Sequence, residues 1–498
     1  MKQAPRAAKA AAITLVAELV FPAVAQVDPE RADGPIPSYR GHRVLRIQAP
    51  TQRDMRTVLA ISEDIWSCEI RQGHPIDVRV SPEQFAAVVA AGMRYEVLIP
   101  DVQAAFDAEA AEIRRLRQLD GPGWYSNYHT YAENKAYCQA LAAAYPELCT
   151  YQVIGQSLQN RDIFALRITG PGSAANRPAS LWFGGQHARE WINVPVPTYH
   201  AEQLLARYAS DAQVRYLVNN HEFLIVPIMN PDGYEYTWTN TRLWRKNRRP
   251  NSNNPNGGSC NTNFGVDLNR NWGFQWGAIP GGGSSGTCSS DTYRGVAAFS
   301  EPETQVMRDF IIANPRIKST MDWHSYSQLV MSPWAYTATL PSPPSAAATF
   351  DMLTSGMADA IFAVHGQPFV WGALQPTLYQ ANGCSVDWSW GARGILGLTI
   401  ELRDTGQTGF LLPPEQIIPS CEETWPAFLF LANYLTPCYA NCDASTGAPA
   451  LTANDFQCFL NKFAAGDPYA NCDASTGTPS LTANDFQCYL NKFAVGCS

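Results

Sequence analysis

Charge is scarce in this chain. Only 16% of its residues are Asp, Glu, Lys or Arg, and the net charge is −8. No cluster of Lys and Arg is large enough to form a phosphate-binding surface, which argues against nucleic acid as a partner. Long apolar runs are also missing after the first 25 residues, so no later segment is expected to span a bilayer. Hydrophobic residues make up 46%, which argues against extended disorder. A length of 498 residues exceeds one ordinary core and predicts two or more domains.

The N-terminus has the grammar of an export signal. Lys2, Arg6 and Lys9 precede an apolar stretch from Ala10 to Ala23, and Ala23-Val24-Ala25 fits a small-residue cleavage site. The stretch is short for a membrane anchor and contains Glu18, so residues 1–25 are read as a cleaved signal peptide of a secreted or periplasmic protein. Thirteen cysteines fit an exported, disulfide-containing chain. Cys68 is remote from the others, and its loss on maturation would leave twelve, enough for complete pairing.

Residues 26–117 form a first zone. Strand-like runs at Arg43–Ile47, Ile76–Val80 and Tyr95–Ile99 interleave with helix-like runs at Arg53–Ser62 and Pro82–Ala91, which predicts a small open α/β sandwich. A helical stretch from Val102 leads away and carries Arg114, Arg115 and Arg117, a basic cluster suited to proteolysis on a linker. Residues 118–437 form a large α/β domain. Apolar strands such as Ser180–Gly184, Glu222–Pro227, Ile317–Trp323 and Ile395–Leu402 alternate with helical patterns, predicting a mixed, mostly parallel sheet flanked by helices. A Gly/Asn/Ser-rich loop region between Asn251 and Gly286, bracketed by Cys260 and Cys288, invites a disulfide. Residues 438–498 are two near-identical repeats offset by 30 residues, each with Y-A-N-C-D-A-S-T-G, L-T-A-N-D-F-Q-C and L-N-K-F-A.

His187 and Glu190 follow an apolar strand, and His324 ends another. Catalytic zinc takes three N/O protein ligands and keeps one open position. Parallel-sheet proteins gather sites at the carboxyl ends of strands, where both motifs fall. Glu401 ends a further apolar run. It reads either as a general base beside a metal-bound water or as a salt-bridge partner of Arg403. Arg245, Asn269 and Arg270 offer cationic and amide groups suited to a carboxylate, or to surface ion pairs.

His187-Ala188-Arg189-Glu190-Trp191, Asn230-Pro231-Asp232-Gly233, Arg242-Leu243-Trp244-Arg245-Lys246, Asp267-Leu268-Asn269-Arg270-Asn271-Trp272, His324-Ser325-Tyr326-Ser327-Gln328, Tyr379-Gln380 and Glu401-Leu402-Arg403-Asp404-Thr405-Gly406 occur in one order. Together they resemble the zinc metallocarboxypeptidases of the carboxypeptidase A/B branch, and residues 26–117 resemble that family's activation propeptide. The resemblance implies one zinc ion on His187, Glu190 and His324, with Asp267 orienting the first histidine. It implies Glu401 as general base and acid, and Arg245 as the group that polarises the scissile carbonyl. Asn269, Arg270 and Tyr379 would hold the substrate's terminal carboxylate, with Arg189 further along the groove. The substrates would be peptide and protein C-termini, and the propeptide would inhibit its own enzyme. Val386 falls at the position that floors the specificity pocket. With Leu374, Leu378 and Thr399 it carries no charge, so apolar or aromatic C-terminal residues are expected. Ala335 would narrow the pocket, Cys384 is a departure, and a shift of one residue would put Asp387 in the floor instead.

In the tail, Asn441, Asp443, Ser445 and Asp455, and their counterparts Asn471, Asp473, Ser475 and Asp485, are similar to half of a dockerin repeat with a lengthened loop. This implies Ca2+ binding and a protein or surface partner. The alternative is a small disulfide-stapled helical hairpin through Cys442, Cys458, Cys472 and Cys488, with Asp455 as an N-cap. Rival readings of the whole chain are a scaffold with a dead peptidase fold and a zinc amidase acting on cell-wall peptides. The intact ligand set argues against the first and the carboxylate clamp against the second.

Overall fold

The computed structural model describes residues 37–62, 64–67, 73–119, 123–250, 265–279, 282–436, 439–443, 451–473, 475 and 478–495. The expected signal peptide at 1–25, Cys68 and Cys260 lie outside these residues.

The first zone is a three-stranded antiparallel sheet, β1 (Arg43–Gln48), β2 (Pro75–Val80) and β3 (Tyr95–Ile99), with β1 in the centre. Helix α1 (Gln52–Ile61) starts at a reciprocal capping box between Thr51 and Asp54, and α2 (Pro82–Ala90) at one between Ser81 and Gln84. One face of the sheet buries Leu45, Ile47, Ile76, Val78 and Val80 against Val58 and Val88 of the two helices. The other joins Val44, Trp66 and Ile99 to Leu243, Tyr326 and Phe410 of the large domain. Helix α3 (Val102–Arg117) connects the two, and its Glu109 takes a two-pronged bond from Arg242 at 2.7 and 2.9 Å.

The large domain holds one eight-stranded sheet. Its strands are β4 (Cys149–Gln156), β5 (Asp162–Ile168), β6 (Ala179–Phe183), β7 (Glu222–Val226), β8 (Ile317–Ser325), β9 (Leu329–Ser332), β10 (Val370–Ala373) and β11 (Leu396–Leu402), in the order β10-β9-β11-β8-β6-β7-β5-β4. The centre, β11-β8-β6-β7, is parallel. Antiparallel pairs flank it: β5 against β7 and β4 on one side, β9 against β11 on the other. Both faces are covered, so β6 and β7 are buried along their whole length and mostly apolar, as a doubly covered sheet favours, while β8 and β11 also carry the buried polar residues Asp322, His324, Thr399 and Glu401. Helices α4 (Pro195–Arg207), α5 (Pro344–His365) and α7 (Ile417–Leu435) supply one core, and α6 (Ser385–Arg393) packs Trp388 into the other.

The tail forms helices α8 (Ala453–Ala464) and α9 (Ala483–Val495), with disulfides Cys442–Cys458 and Cys472–Cys488. Tyr439 and Tyr469 stack at 4.7 Å, and each hydroxyl donates to the other's carbonyl. The expected N-cap role for Asp455 is corrected: Thr452 caps α8, and Asp455 is the reciprocal acid of its capping box. Asp455 accepts from the Asp443 and Thr452 N–H groups, and Asp485 repeats the pattern with Asp473 and Thr482. Both carboxylates therefore already satisfy backbone donors. Residues 444–450 of the first loop are not among those described, and no calcium cluster occurs among those that are.

Complete cysteine pairing is also corrected. Cys288 is disulfide-bonded, but Cys138, Cys149, Cys384 and Cys421 are free and buried. Cys384 and Cys421 sit in different apolar clusters, where they pack as small hydrophobes.

Candidate active site

Three strand ends build the site. After β6 the chain turns so tightly that a Cβ on Gly184 would stand 2.0 Å from the Asn193 carbonyl, a path open only to glycine. That turn delivers His187 and Glu190. His324 is the penultimate residue of β8, rather than lying just past it, and its register partner on the parallel strand β11 is Glu401.

His187 Nδ1 lies 2.8 Å from Glu190 Oε1 and 3.1 Å from His324 Nδ1, and His324 Nδ1 lies 3.2 Å from Glu190 Oε2. Each outer ring nitrogen meets a carboxylate: His187 Nε2 is 3.2 Å from Asp267 Oδ1, and His324 Nε2 is 3.0 Å from Asp322 Oδ2. A carboxylate on Nε2 places the ring proton there, which leaves two Nδ1 lone pairs facing each other beside an anionic carboxylate. Such an arrangement is unfavourable by itself and favourable around a cation. Glu401 Oε2 is buried and without a partner at the same place. His187, Glu190 and His324 would fit a single zinc ion, the metal for which a site of two histidines and one glutamate is suited.

The electrostatics agree. Burial would raise the Glu190 carboxyl, but His187 and His324 hold it well below the usual range. Burial likewise opposes ionisation of Asp267, yet Arg245, Arg270 and His187 keep it strongly ionised. Glu401 behaves oppositely: burial pushes it up to about 8, against the pull of His324 and Arg245. The alternative partner for Glu401 is absent, since Arg403 is committed to Glu423 through Nε at 2.7 Å.

Arg245 donates to Asp267 Oδ2 at 3.0 Å and stands 3.6 Å from Glu190 Oε1. Arg270 Nη2 donates to the Tyr379 hydroxyl at 3.0 Å, and its buried Nε has no partner. Asn269 lies between, with its side-chain oxygen accepting from Ser385 N at 3.0 Å. All line one cavity of about 400 Å3 with the metal-site residues, Arg189, Met331, Leu374, Leu378, Ala381, Cys384 and Thr399.

Val386 does not line this cavity. It is buried in the apolar cluster behind it, while Cys384 and Leu378 reach the wall. Asp387 faces elsewhere, accepting from Ala335 N at 2.7 Å and Tyr336 N at 3.0 Å. The part of the wall formed by Met331, Leu374, Leu378, Ala381, Cys384 and Thr399 is thus uncharged, and the one-residue shift that would have floored it with an acid does not occur.

The cavity's outer wall comes from the first zone. Ser62, Ile65, Trp66 and Ser67 close it, Asp64 Oδ1 lies 3.1 Å from Arg189 Nη1, and the Ile65 carbonyl accepts from Arg189 Nη2 at 3.3 Å. A propeptide lying over the groove was expected, but its contact residues Asp64, Ile65 and Trp66 were not, nor were Asp322, Gln186, Met331 and Ala381. Asp322 was legible in principle, because two residues before a ligand on a strand is the same face.

Against known proteins, the zinc carboxypeptidase family matches residues 134–427, and the carboxypeptidase activation peptide family matches residues 45–109. The chain belongs to the zinc carboxypeptidase family. The metallocarboxypeptidase A of Trichophyton rubrum is 38% identical over 399 residues, covering 78% of this chain and 91% of that protein. Carboxypeptidase A1 of Rattus norvegicus is 35% identical over 411 residues, covering 80% and 94%. Among solved structures, carboxypeptidase A from Helicoverpa armigera superposes with a TM-score of 0.70 at 28% identity, covering 79% of this chain and 97% of that one. The expected α/β architecture is the carboxypeptidase fold. As a zinc carboxypeptidase with an activation peptide matched over residues 45–109, the chain is a peptide hydrolase of zymogen type.

Proposed function

We propose that this zymogen is exported, that it loses its propeptide by a cut near Arg117, and that the freed enzyme removes single apolar residues from peptide C-termini. The observation that carries the reading is the pairing of Arg270 with Tyr379 at 3.0 Å on the uncharged side of the His187–Glu190–His324 cluster. An arginine fork recognises a carboxylate in two-pronged fashion, and an internal peptide bond offers none.

Zinc, when bound by His187, Glu190 and His324, supplies Lewis acidity that activates water and polarises a carbonyl. Asp267 holds His187 in its metal-binding tautomer. Arg270, Asn269 and Tyr379 grip the terminal carboxylate, which fixes the scissile bond relative to Glu401. Glu401 takes the proton of the attacking water and returns it to the leaving amine. Its raised pKa suits both halves of that exchange. Arg245 stabilises the charge developing on the carbonyl oxygen. Arg189 engages the upstream chain once the propeptide has left. Met331, Leu374, Leu378, Ala381, Cys384 and Thr399 accept the departing side chain, with Val386 supporting them from behind. Cys384 stands in the wall, whereas Ala335, expected to narrow the pocket, is buried with Val386 in the cluster behind it.

The basic cluster lies at the end of α3, where Arg117 pairs with Glu133 at 2.9 Å. N-terminal sequencing of the active form tests the cut, and retention of residues before Arg114 refutes it. The tail has its own small aromatic core and two disulfides, which supports a separately folding attachment module for a protein or surface partner.

A panel of blocked dipeptides differing only in the last residue, with and without chelator, tests the whole reading. Leu and Val substrates are expected to turn over, Lys and Asp substrates to lag, and amidated ones to fail. Activity that survives complete zinc removal, or equal turnover of amidated peptides, overturns it.

A further inference from the structure

Asp322 is buried, and beyond its contact with His324 Nε2 it has no part in the mechanism proposed above. It sits two residues before His324 on β8, so both side chains project from the same face of the strand. Its Oδ2 gathers three polar groups: His324 Nε2 at 3.0 Å, Gln186 Nε2 at 2.7 Å and Ser385 Oγ at 2.5 Å. Its Oδ1 is buried and has no partner. Thr399 Oγ1 donates to the Asp322 carbonyl at 2.9 Å, which ties its backbone to β11.

A carboxylate in this setting is expensive to bury unless a positive charge lies on its open side. No lysine or arginine is paired with it among the described residues. The cation it faces is reached through the His324 ring, whose opposite nitrogen points at His187 and Glu190. The arrangement mirrors Asp267 behind His187, so each candidate ligand histidine carries a carboxylate on its far nitrogen.

We infer that Asp322 is a positioning residue for the metal site. It fixes the tautomer and plane of His324 and raises that ligand's basicity, as a carboxylate behind a metal-binding histidine does. Its other two partners give it a second task. Gln186 immediately precedes His187, and Ser385 begins α6 immediately before Val386. One carboxylate oxygen therefore joins the His324 side of the metal site to the turn carrying His187 and to the helix behind the specificity pocket. The inference rests on the zinc-dependent reading above.

Asp322→Asn in the full-length chain tests it, because asparagine keeps the shape and one acceptor while removing the charge. Apoprotein is titrated with zinc against a chromophoric chelator, and the Co2+-substituted protein is examined by visible absorption. Zinc affinity is expected to fall about 10- to 100-fold, with an altered Co2+ spectrum and unchanged thermal unfolding of the apoprotein. Affinity within twofold of the wild type overturns the inference. So does a loss of affinity matched by a loss of apoprotein stability, which would mean a purely structural role. Should Asp322→Asn not fold, Ser385→Ala removes one of the groups that hold the carboxylate, and about a two- to tenfold weaker zinc affinity is expected. No change there overturns the inference equally. His324→Ala separates the two proposals: if the wild type binds no zinc more tightly than His324→Ala, it is the zinc-dependent reading that fails.

Discussion

The Asp64 carboxylate of the propeptide meets the Arg189 guanidinium of the catalytic domain at 3.1 Å, in a pair whose side chains are only 14% and 3% exposed. Arg189 also stacks over Phe410 at 4.2 Å and takes the neighbouring Ile65 carbonyl. The propeptide thus engages the groove with a main-chain carbonyl and a carboxylate together, and Trp66 fills the space beside them. Truncating one partner of a buried, hydrogen-bonded charge pair costs about 2–5 kcal/mol. Asp64→Ala is therefore expected to weaken inhibition by the separated propeptide at least about tenfold. The inhibition constant of propeptide added to mature enzyme measures it.

Glu401→Gln keeps the size of the side chain and removes its proton-accepting power. Turnover of a blocked dipeptide should fall by about 10²- to 10⁴-fold, the usual contribution of a general base. Zinc content should stay at the wild-type level, because Glu401 is not a ligand in this reading. Metal analysis run beside the kinetics distinguishes a lost base from a lost ion.

Replacing Arg270 by Met leaves the apolar pocket wall and removes the carboxylate clamp. Hydrogen bonds to charged groups contribute about 1.5–3 kcal/mol, so kcat/KM for free C-termini should drop about 10- to 100-fold. Amidated peptides should be affected far less. The ratio of the two rates, measured for wild type and variant, reports the clamp directly.

Asp387 makes a pH signature. Burial pushes its carboxyl up to about 7, despite the two N–H groups that favour ionisation. A carboxyl whose folded pKa exceeds its unfolded value binds more protons in the native state between the two. Its contribution to stability is therefore greatest below about pH 4 and declines as pH rises toward 7. Asp387→Asn lacks that dependence, so its thermal-stability deficit relative to wild type should be larger at pH 5 than at pH 8. A deficit that grows with pH would contradict this assignment.

The sheet was legible because strands such as β6 and β7 are buried on both faces and so appear as short, largely apolar runs. The expected bounds for β3, Tyr95–Ile99, match the structure, and Ser180–Gly184 is offset from β6 by a single residue. His187, Glu190, His324, Glu401, Arg245, Asn269, Arg270 and Tyr379 all converge on one cavity. Val386 does not reach it, because one-residue differences in facing depend on the path of the loop before α6 and leave no trace in composition. The free cysteines were equally invisible, since pairing depends on which elements pack together.

By itself the sequence determined which chemical groups this protein possesses and the order in which they come. The proposed ligands, base and clamp are side-chain identities, and for His324 and Glu401, which lie on β8 and β11, a strand's period of two assigns a face. Only the tertiary structure decided who meets whom across separate elements: Arg403 on Glu423 rather than Glu401, Asp322 with Gln186 and Ser385, and Asp64 against Arg189. Those pairings join residues up to 136 positions apart, Gln186 to Asp322 being the longest. They are fixed by the crossover connections of the sheet and by the docking of the propeptide, where burial makes each partner's charge depend on the other.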